Sequence, residues 1–220
     1  MAPDGGAVQT PGPAGLVNGW WKTYLEVIPD GYLDLLAAEE DASRIIHFHP
    51  MFVPGLLQTE RYAAAITPAT TLKTMTPDDA ETLVRVRLLR QRAALHGSRP
   101  KELVFLLDEM SLRRPVGSPE TMREQLDHLL EMSEHPTVTL IVLPFRAQPH
   151  PGLLGAFMLM QFGEGLDDAL SFEWQLGNTV VRNQPNLIRR YRDLAEELIE
   201  TDREGTAARQ RIVSALAESQ

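Results

Sequence analysis

The spacing of apolar residues changes twice along this chain, from helical to alternating and back to helical. Leu35, Leu36, Ala42 and Ile46, with Glu39 among them, recur on one helical face, so a helix is expected from about Tyr32 to Ile45. A turn signal, Pro29-Asp30-Gly31, precedes it, and Asn18 can cap the earlier stretch "GWWKTYLEVIP". The next segment, "IIHFHPMFVPG", reads as extended chain, because Pro50 and Pro54 disfavour helix at the residue before each. Thr59 then caps a short helix, "ERYAAAI". Thr76 caps a longer one that opens with Pro77, Asp78 and Asp79, runs to about Leu95 and stops at Gly97.

Past Gly97 the pattern shifts. "ELVFLLD" (102–108) and "TVTLIVLPF" (137–145) are continuous apolar runs that read as buried strands. Between them Ser118 caps a helix whose Met122, Leu126, Leu129 and Leu130 form a stripe. "GAFMLMQF" (155–162) and "ALSFEWQ" (169–175) read as hairpin partners across "GEGLDD", and "NTVVRN" adds a further strand. These three later runs, joined by short connections, are expected to be antiparallel. The last forty residues return to helical spacing, with one stripe of Leu187, Tyr191, Leu194, Ala195 and Leu198 and a second of Ala208, Ile212, Ala215 and Leu216. The order predicts an α+β fold, a mixed or antiparallel sheet flanked by helices, with helical N- and C-terminal parts. Residues 1–17, with three prolines and four glycines and no apolar period, read as a disordered leader, and 18–220 as a single domain.

Composition narrows the chemistry. The 220 residues are 43% apolar, enough to bury a core without disulfide or metal support. Cysteine is absent, which excludes thiol nucleophiles and cysteine-based metal sites. No run suits a membrane span and the N-terminus lacks the features of a secretory signal, so a cytoplasmic protein is expected. The net charge of −9 argues against autonomous DNA binding, which calls for a concentrated basic face. Nucleotide-binding and nucleophile motifs are missing: there is no GxGxxG, P-loop, GxSxG or HExxH.

Four features carry candidate chemistry. In "VPGLLQTERYA" (53–63), proline fixes φ, glycine frees it, and Gln58 stands just before a helix cap, where its amide can satisfy backbone groups or touch a ligand. In "RVRLLRQR", Arg87 and Gln91 continue the apolar stripe of the helix and so face inward. A buried guanidinium needs a partner, and Glu109 or Asp108 at a strand end offers one, as a core fastener or a ligand anchor. Arg85, Arg90 and Arg92 read as a solvated face, with Glu81 and Arg85 a ready i, i+4 pair. His47 and His49, two apart on extended chain, face the same side. A metal site completed by His150 is conceivable, but its spacing fits no recurrent ligand pattern, and no metal or cofactor is expected. Finally, Trp20, Trp21, Trp174, Tyr24, Tyr62 and Phe157 supply aromatic surface, with core packing or a pocket wall as the two outcomes.

Taken in order, "GWWKTYLEVIPDGYLDLLAAEEDASRI", "HPMFVPGLLQTERYAAAI", "VRLLRQRAAL", "LDEMSLRRPVGSPETMREQLDHLLEM", "TVTLIVLPF", "HPGLLGAFMLMQF" and "SFEW" resemble a known family. It is the domain of unknown function found C-terminal to the helix-turn-helix in many actinobacterial Xre-type regulators, a group that includes antitoxin-like regulators often encoded beside a small partner protein. The resemblance runs from about Asn18 to Leu216. Its signature positions here are Pro54, Gly55, Leu57, Gln58, Tyr62, Arg87, Gln91, Glu109, Arg113 and Arg114. Where such regulators carry a helix-turn-helix, this sequence has the Pro/Gly stretch, so the resemblance implies either a truncation or a stand-alone relative that cannot read a major groove by itself.

The resemblance implies a regulatory module that binds a small ligand or a small partner protein, with a homodimer possible. Gln58, Tyr62, Arg87, Gln91, Glu109, Arg113, Trp20 and Trp21 are the expected ligand-binding set. The alternative is an enzyme, a cyclase or tailoring catalyst of secondary metabolism, in which Glu109 or His49 handles protons.

Overall fold

The computed structural model describes residues 20–28, 31–71, 75–97, 99–174, 177–202 and 205–218. The expected leader and the Asn18 cap lie outside them. Among the described residues one sheet has the strand order β3–β2–β1–β4–β5–β6. Its strands are β1 (Arg44–His49), β2 (Glu102–Asp108), β3 (Val138–Leu143), β4 (Phe157–Gln161), β5 (Ala169–Trp174) and β6 (Gly177–Val181). The helices are α1 (Tyr32–Asp41), α2 (Glu60–Thr70), α3 (Pro77–His96), the single turn α4 (Met110–Arg113), α5 (Pro119–Met132), α6 (Pro185–Glu200) and α7 (Thr206–Glu218). The α+β expectation stands, with a mixed sheet.

Both kinds of pairing meet at β1. It runs parallel to β2, with His47 beside Phe105, and antiparallel to β4, with His47 beside Met158. The β2–β3 pair is parallel, while β4, β5 and β6 form the expected antiparallel meander. Parallel neighbours need crossovers, and α2–α3 and α4–α5 supply them.

Strand alternation sorts the core into two layers. Ile45, Phe105, Leu107, Leu140, Met158 and Met160 pack with α1, α2, α5 and α7 on one face. Ile46, Phe48, Val104, Leu106, Phe157 and Leu159 pack under Ile188, Ala195, Leu198 and Ile199 of α6 on the other. Burial on both faces explains why β2 and β3 read as unbroken apolar runs.

The caps at Thr59, Thr76 and Ser118 all form: each hydroxyl accepts a backbone N–H three residues on, from Tyr62 (3.3 Å), Asp79 (3.2 Å) and Thr121 (3.3 Å). The expected helix over 32–45 needs correction. It ends at Asp41, Ala42 turns extended at φ −65° and ψ 140°, and the β-branched Ile45 and Ile46 belong to β1, facing opposite sides of the sheet. Apolar residues at the end of α1 and the start of β1 merge into one apparent stripe.

Candidate functional site

The segment from Val53 to Thr59, which joins β1 to α2, is tied down by glutamine side chains from three places in the sequence. Gln58 donates through Nε2 to the carbonyl of Val53 at 2.7 Å. Gln91 of α3 donates to the carbonyls of Gly55 and Gln58, both at 2.8 Å. Gln125 of α5, fully buried, donates to the carbonyl of Leu57 at 2.7 Å and accepts from the Thr59 N–H at 2.8 Å. Behind the turn, the Tyr62 hydroxyl accepts from the Val53 N–H at 3.3 Å. Buried carbonyls in a non-repetitive segment need such partners. The turn is therefore a fixed wall.

That wall borders a cavity of about 710 Å³ at the carboxyl end of β1. Its floor is the sheet face that α1, α2, α5 and α7 pack against, where His47, Met158 and Ser171 lie side by side on β1, β4 and β5. One step further along stand His49 and, paired across β5 and β6, Glu173 and Asn178. Gln58 and Arg87 form one side, and Met51, Phe52 and Leu154 line it with apolar surface. Leu154 is 94% exposed, at the rim.

The polar groups of this recess are incompletely satisfied. Nδ1 of His47 and Oγ of Ser171 are buried without a hydrogen-bond partner among the described residues, and so is Nε of Arg87. The Arg87 guanidinium donates through Nη1 to the side-chain oxygen of Gln58, and no carboxylate among the described residues pairs with it. Arg90, one turn on, differs: it makes a two-pronged bond to Glu39 at 2.7 and 2.5 Å and a third to the Tyr32 hydroxyl at 3.1 Å. Burial works against the Arg90 cation, but Glu39 and Tyr32 outweigh it, and its pKa is raised.

His47 stays neutral, because burial, aided by His49 and Arg90, holds its pKa well below the ordinary imidazole value. His49 is also lowered, mainly by burial; Glu173 opposes the shift and Arg87 adds to it. Nδ1 of His49 accepts the backbone N–H groups of Met51 (3.2 Å) and Phe52 (3.0 Å). The neutral ring therefore carries its proton on Nε2 and acts there as a donor.

Several expectations change. Arg87 and Glu109 do not meet. Arg87 reaches the turn, while Glu109 at the end of β2 accepts from Arg113 at 2.8 Å and from the Phe145 N–H at 3.1 Å. A donor one helical turn away on α4 serves Glu109 better than one on α3, which packs over the 55–57 segment. Arg113 also bonds Glu218 of α7, so Glu109 and Arg113 form a strand-end fastener outside the cavity lining. Arg90 is not on a solvated face but 7% exposed and paired; Arg85, bonded to Glu81 at 3.3 Å, keeps the expected exposed pairing. Trp21 is buried with Leu36 and Val86, away from the cavity, and the Trp20 side chain lies outside the described residues. Tyr62 and Gln91 support the wall from behind, and Gln58, Arg87 and His49 line the cavity. His150 packs edge-on against Phe48, which faces the opposite layer from His47, so the three histidines do not converge.

The arrangement also contains residues not singled out from sequence. Gln125 sits inside the stripe Met122, Leu126 and Leu129, and a glutamine on an otherwise apolar face was the available signal. Ser171 shares β5 parity with Ala169 and Glu173, which was equally readable.

Residues 32–214 match the model of a single protein family, described as a domain of unknown function, DUF5753. The chain belongs to the DUF5753 family. The matched span takes in every residue that lines the cavity of this DUF5753 domain, from Tyr32 to Tyr191. No curated protein and no solved structure gives a significant match to it. Of the ten positions named above from the resemblance, Pro54, Gly55, Leu57, Gln58, Tyr62, Arg87 and Gln91 gather at the one wall; Arg114 reaches its edge, with Cζ 5.9 Å from the centre of the Phe52 ring. No helix among the described residues is long and apolar enough to cross a membrane.

Proposed function

We propose that this domain is a regulatory module that binds a small ligand in the cavity at the end of β1, a relative of the effector domains of actinobacterial Xre-type helix-turn-helix regulators working in the cytoplasm. One observation carries the reading: a recess of about 710 Å³, walled by a rigid turn, holds buried polar atoms of His47, Ser171 and Arg87 that have no hydrogen-bond partner among the described residues. Small-molecule sites commonly have this size and this mixture of apolar lining with a few polar groups. Unpaired buried polar atoms cost free energy unless something satisfies them.

Two features favour binding over catalysis. Nε2 of His49 is a donor in the neutral ring, the wrong form for a base, and Glu109 lies outside the cavity. A recessed site also suits a small molecule better than a partner protein, which would need an open apolar patch.

Native mass spectrometry of the gently purified chain tests this. A bound small molecule is expected, and it should be lost when Ser171→Phe fills the floor. A chain that stays empty, and that shows no thermal shift with any of a broad library of metabolites, would rule the reading out.

A further inference from the structure

We propose that the ligand is an amphipathic carboxylic acid, its acid head on Arg87 and Nε2 of His49 and its apolar body along Phe52, Met51 and Leu154. This assignment rests on the ligand-binding reading and adds the chemical class.

Charge gives the first argument. Arg87 is a half-buried cation with no carboxylate partner among the described residues, whereas Arg90 beside it has Glu39. The group that Arg87 does meet, the side-chain oxygen of Gln58, is neutral. Gln58 is held in turn by the Val53 carbonyl, so the guanidinium is positioned without being neutralised. A fixed, planar, uncompensated guanidinium is suited to a carboxylate, which it can grip with parallel hydrogen bonds.

The second donor is independent of the first. Two backbone N–H groups occupy Nδ1 of His49, so the ring offers Nε2–H rather than a lone pair. Burial keeps this ring neutral near pH 7, with Arg87 contributing in the same direction. A donor that adds no second full charge matches a singly charged head.

A phosphate monoester, with close to two negative charges near neutrality, fits less well. Among the described lining residues Glu173 is the one carboxylate; it is exposed and makes no ion pair with Arg87. Of the two lining arginines Arg90 is already matched by Glu39, so a dianion would meet one cation without a carboxylate partner among the described residues, and one repelling anion. Val53, Ile66 and Met158 add apolar surface to that of Phe52, beside the neutral polar groups of His47 and Ser171.

The test uses the full chain and isothermal titration with decanoate and phenylacetate, each beside its neutral amide, and with decyl phosphate. At least one acid should bind about tenfold or more tightly than its amide, the scale of a charge-assisted hydrogen bond. Arg87→Met should abolish that preference while leaving amide binding within about threefold, and Arg87→Lys should keep part of it. If Arg87→Met does not fold, the acid-to-amide ratio of the unaltered chain and of Arg87→Lys decides the matter. Amides that bind as well as acids, or a decyl phosphate that binds more tightly than decanoate, would overturn the carboxylate assignment and leave the ligand-binding reading in place. Binding of none of the probes also overturns the assignment, and native mass spectrometry then separates the two claims: a retained molecule of another class sinks only this one.

Discussion

Gln91 grips the turn that faces it, donating through one nitrogen to the Gly55 carbonyl at 2.8 Å across 36 positions of sequence. The same nitrogen serves Gln58, so one amide secures two carbonyls of the cavity wall. Gln91→Met keeps the volume and removes both bonds. It is expected to destabilise the fold by about 1–3 kcal/mol, the cost of leaving buried acceptors unpaired. Urea unfolding measures this, and a change under about 0.5 kcal/mol would mean that the turn holds without Gln91.

Arg90 and Glu39, with side chains 8% and 6% exposed, form a buried ion pair. Removing one partner strands the other, so Glu39→Gln should cost about 3–5 kcal/mol. Replacing both, as Glu39→Leu with Arg90→Met, should recover much of that loss, because no lone charge remains. A double variant as unstable as the single one would contradict this account.

Stability should fall on the mildly acid side of neutrality. His47, His49 and His150 all have pKa values lowered chiefly by burial. The unfolded chain takes up protons below about pH 6.5 and the folded chain does not, so this contribution is complete above that pH and is lost as pH falls. The melting temperature should drop between about pH 7 and pH 5, and His47→Phe should flatten the slope. Arg90 and His49, the charged and titratable groups acting on His47, are retained in that variant. At the alkaline end Tyr62, pushed up to about 12 mainly by burial, contributes stability that is full below about pH 10 and is lost as pH rises toward 12. A melting temperature constant from pH 7 to 5 would refute the histidine argument.

Glu109→Gln tests whether the strand-end pair is separate from the cavity. Burial alone would raise the Glu109 pKa, but the Arg113 bond, the Phe145 N–H and nearby Arg211 outweigh it and lower the value. Its stabilising contribution is therefore present above the ordinary carboxylate range and lost as pH falls through the lowered value. The substitution should cost about 1–2 kcal/mol at neutral pH and leave ligand affinity unchanged within about twofold. A large loss of affinity without loss of stability would return Glu109 to the site.

Much of the architecture was legible because local rules agree with it. Three caps begin their helices where threonine or serine precedes a first turn that carries an acid, and β2, β3 and the β4–β6 meander follow apolar runs. What failed lies where two periods overlap, at Ala42 to Ile46, where a helical stripe runs into a strand. The inward direction of Arg87 and Gln91 was readable from their phase on α3, but their partners were not. Guanidinium and amide groups accept any nearby oxygen, and sequence spacing does not say whether a carbonyl or a carboxylate comes within 3 Å. The same indifference hid Arg90, which shares its phase with Val86 and points to Glu39. His47 and His49 were placed together correctly, because alternation on a strand leaves no choice.

The two-sided pairing of β1 has a consequence for the cavity as a whole. At its carboxyl end β1 sends its chain away toward α2, while β4, running against it, begins there beside it, with Phe157 paired to Phe48, and the cavity lies at this divergence. The vestibule is thus a product of topology. The side chains that furnish it, such as Phe52 and Ser171, sit on that frame and are not what creates the space.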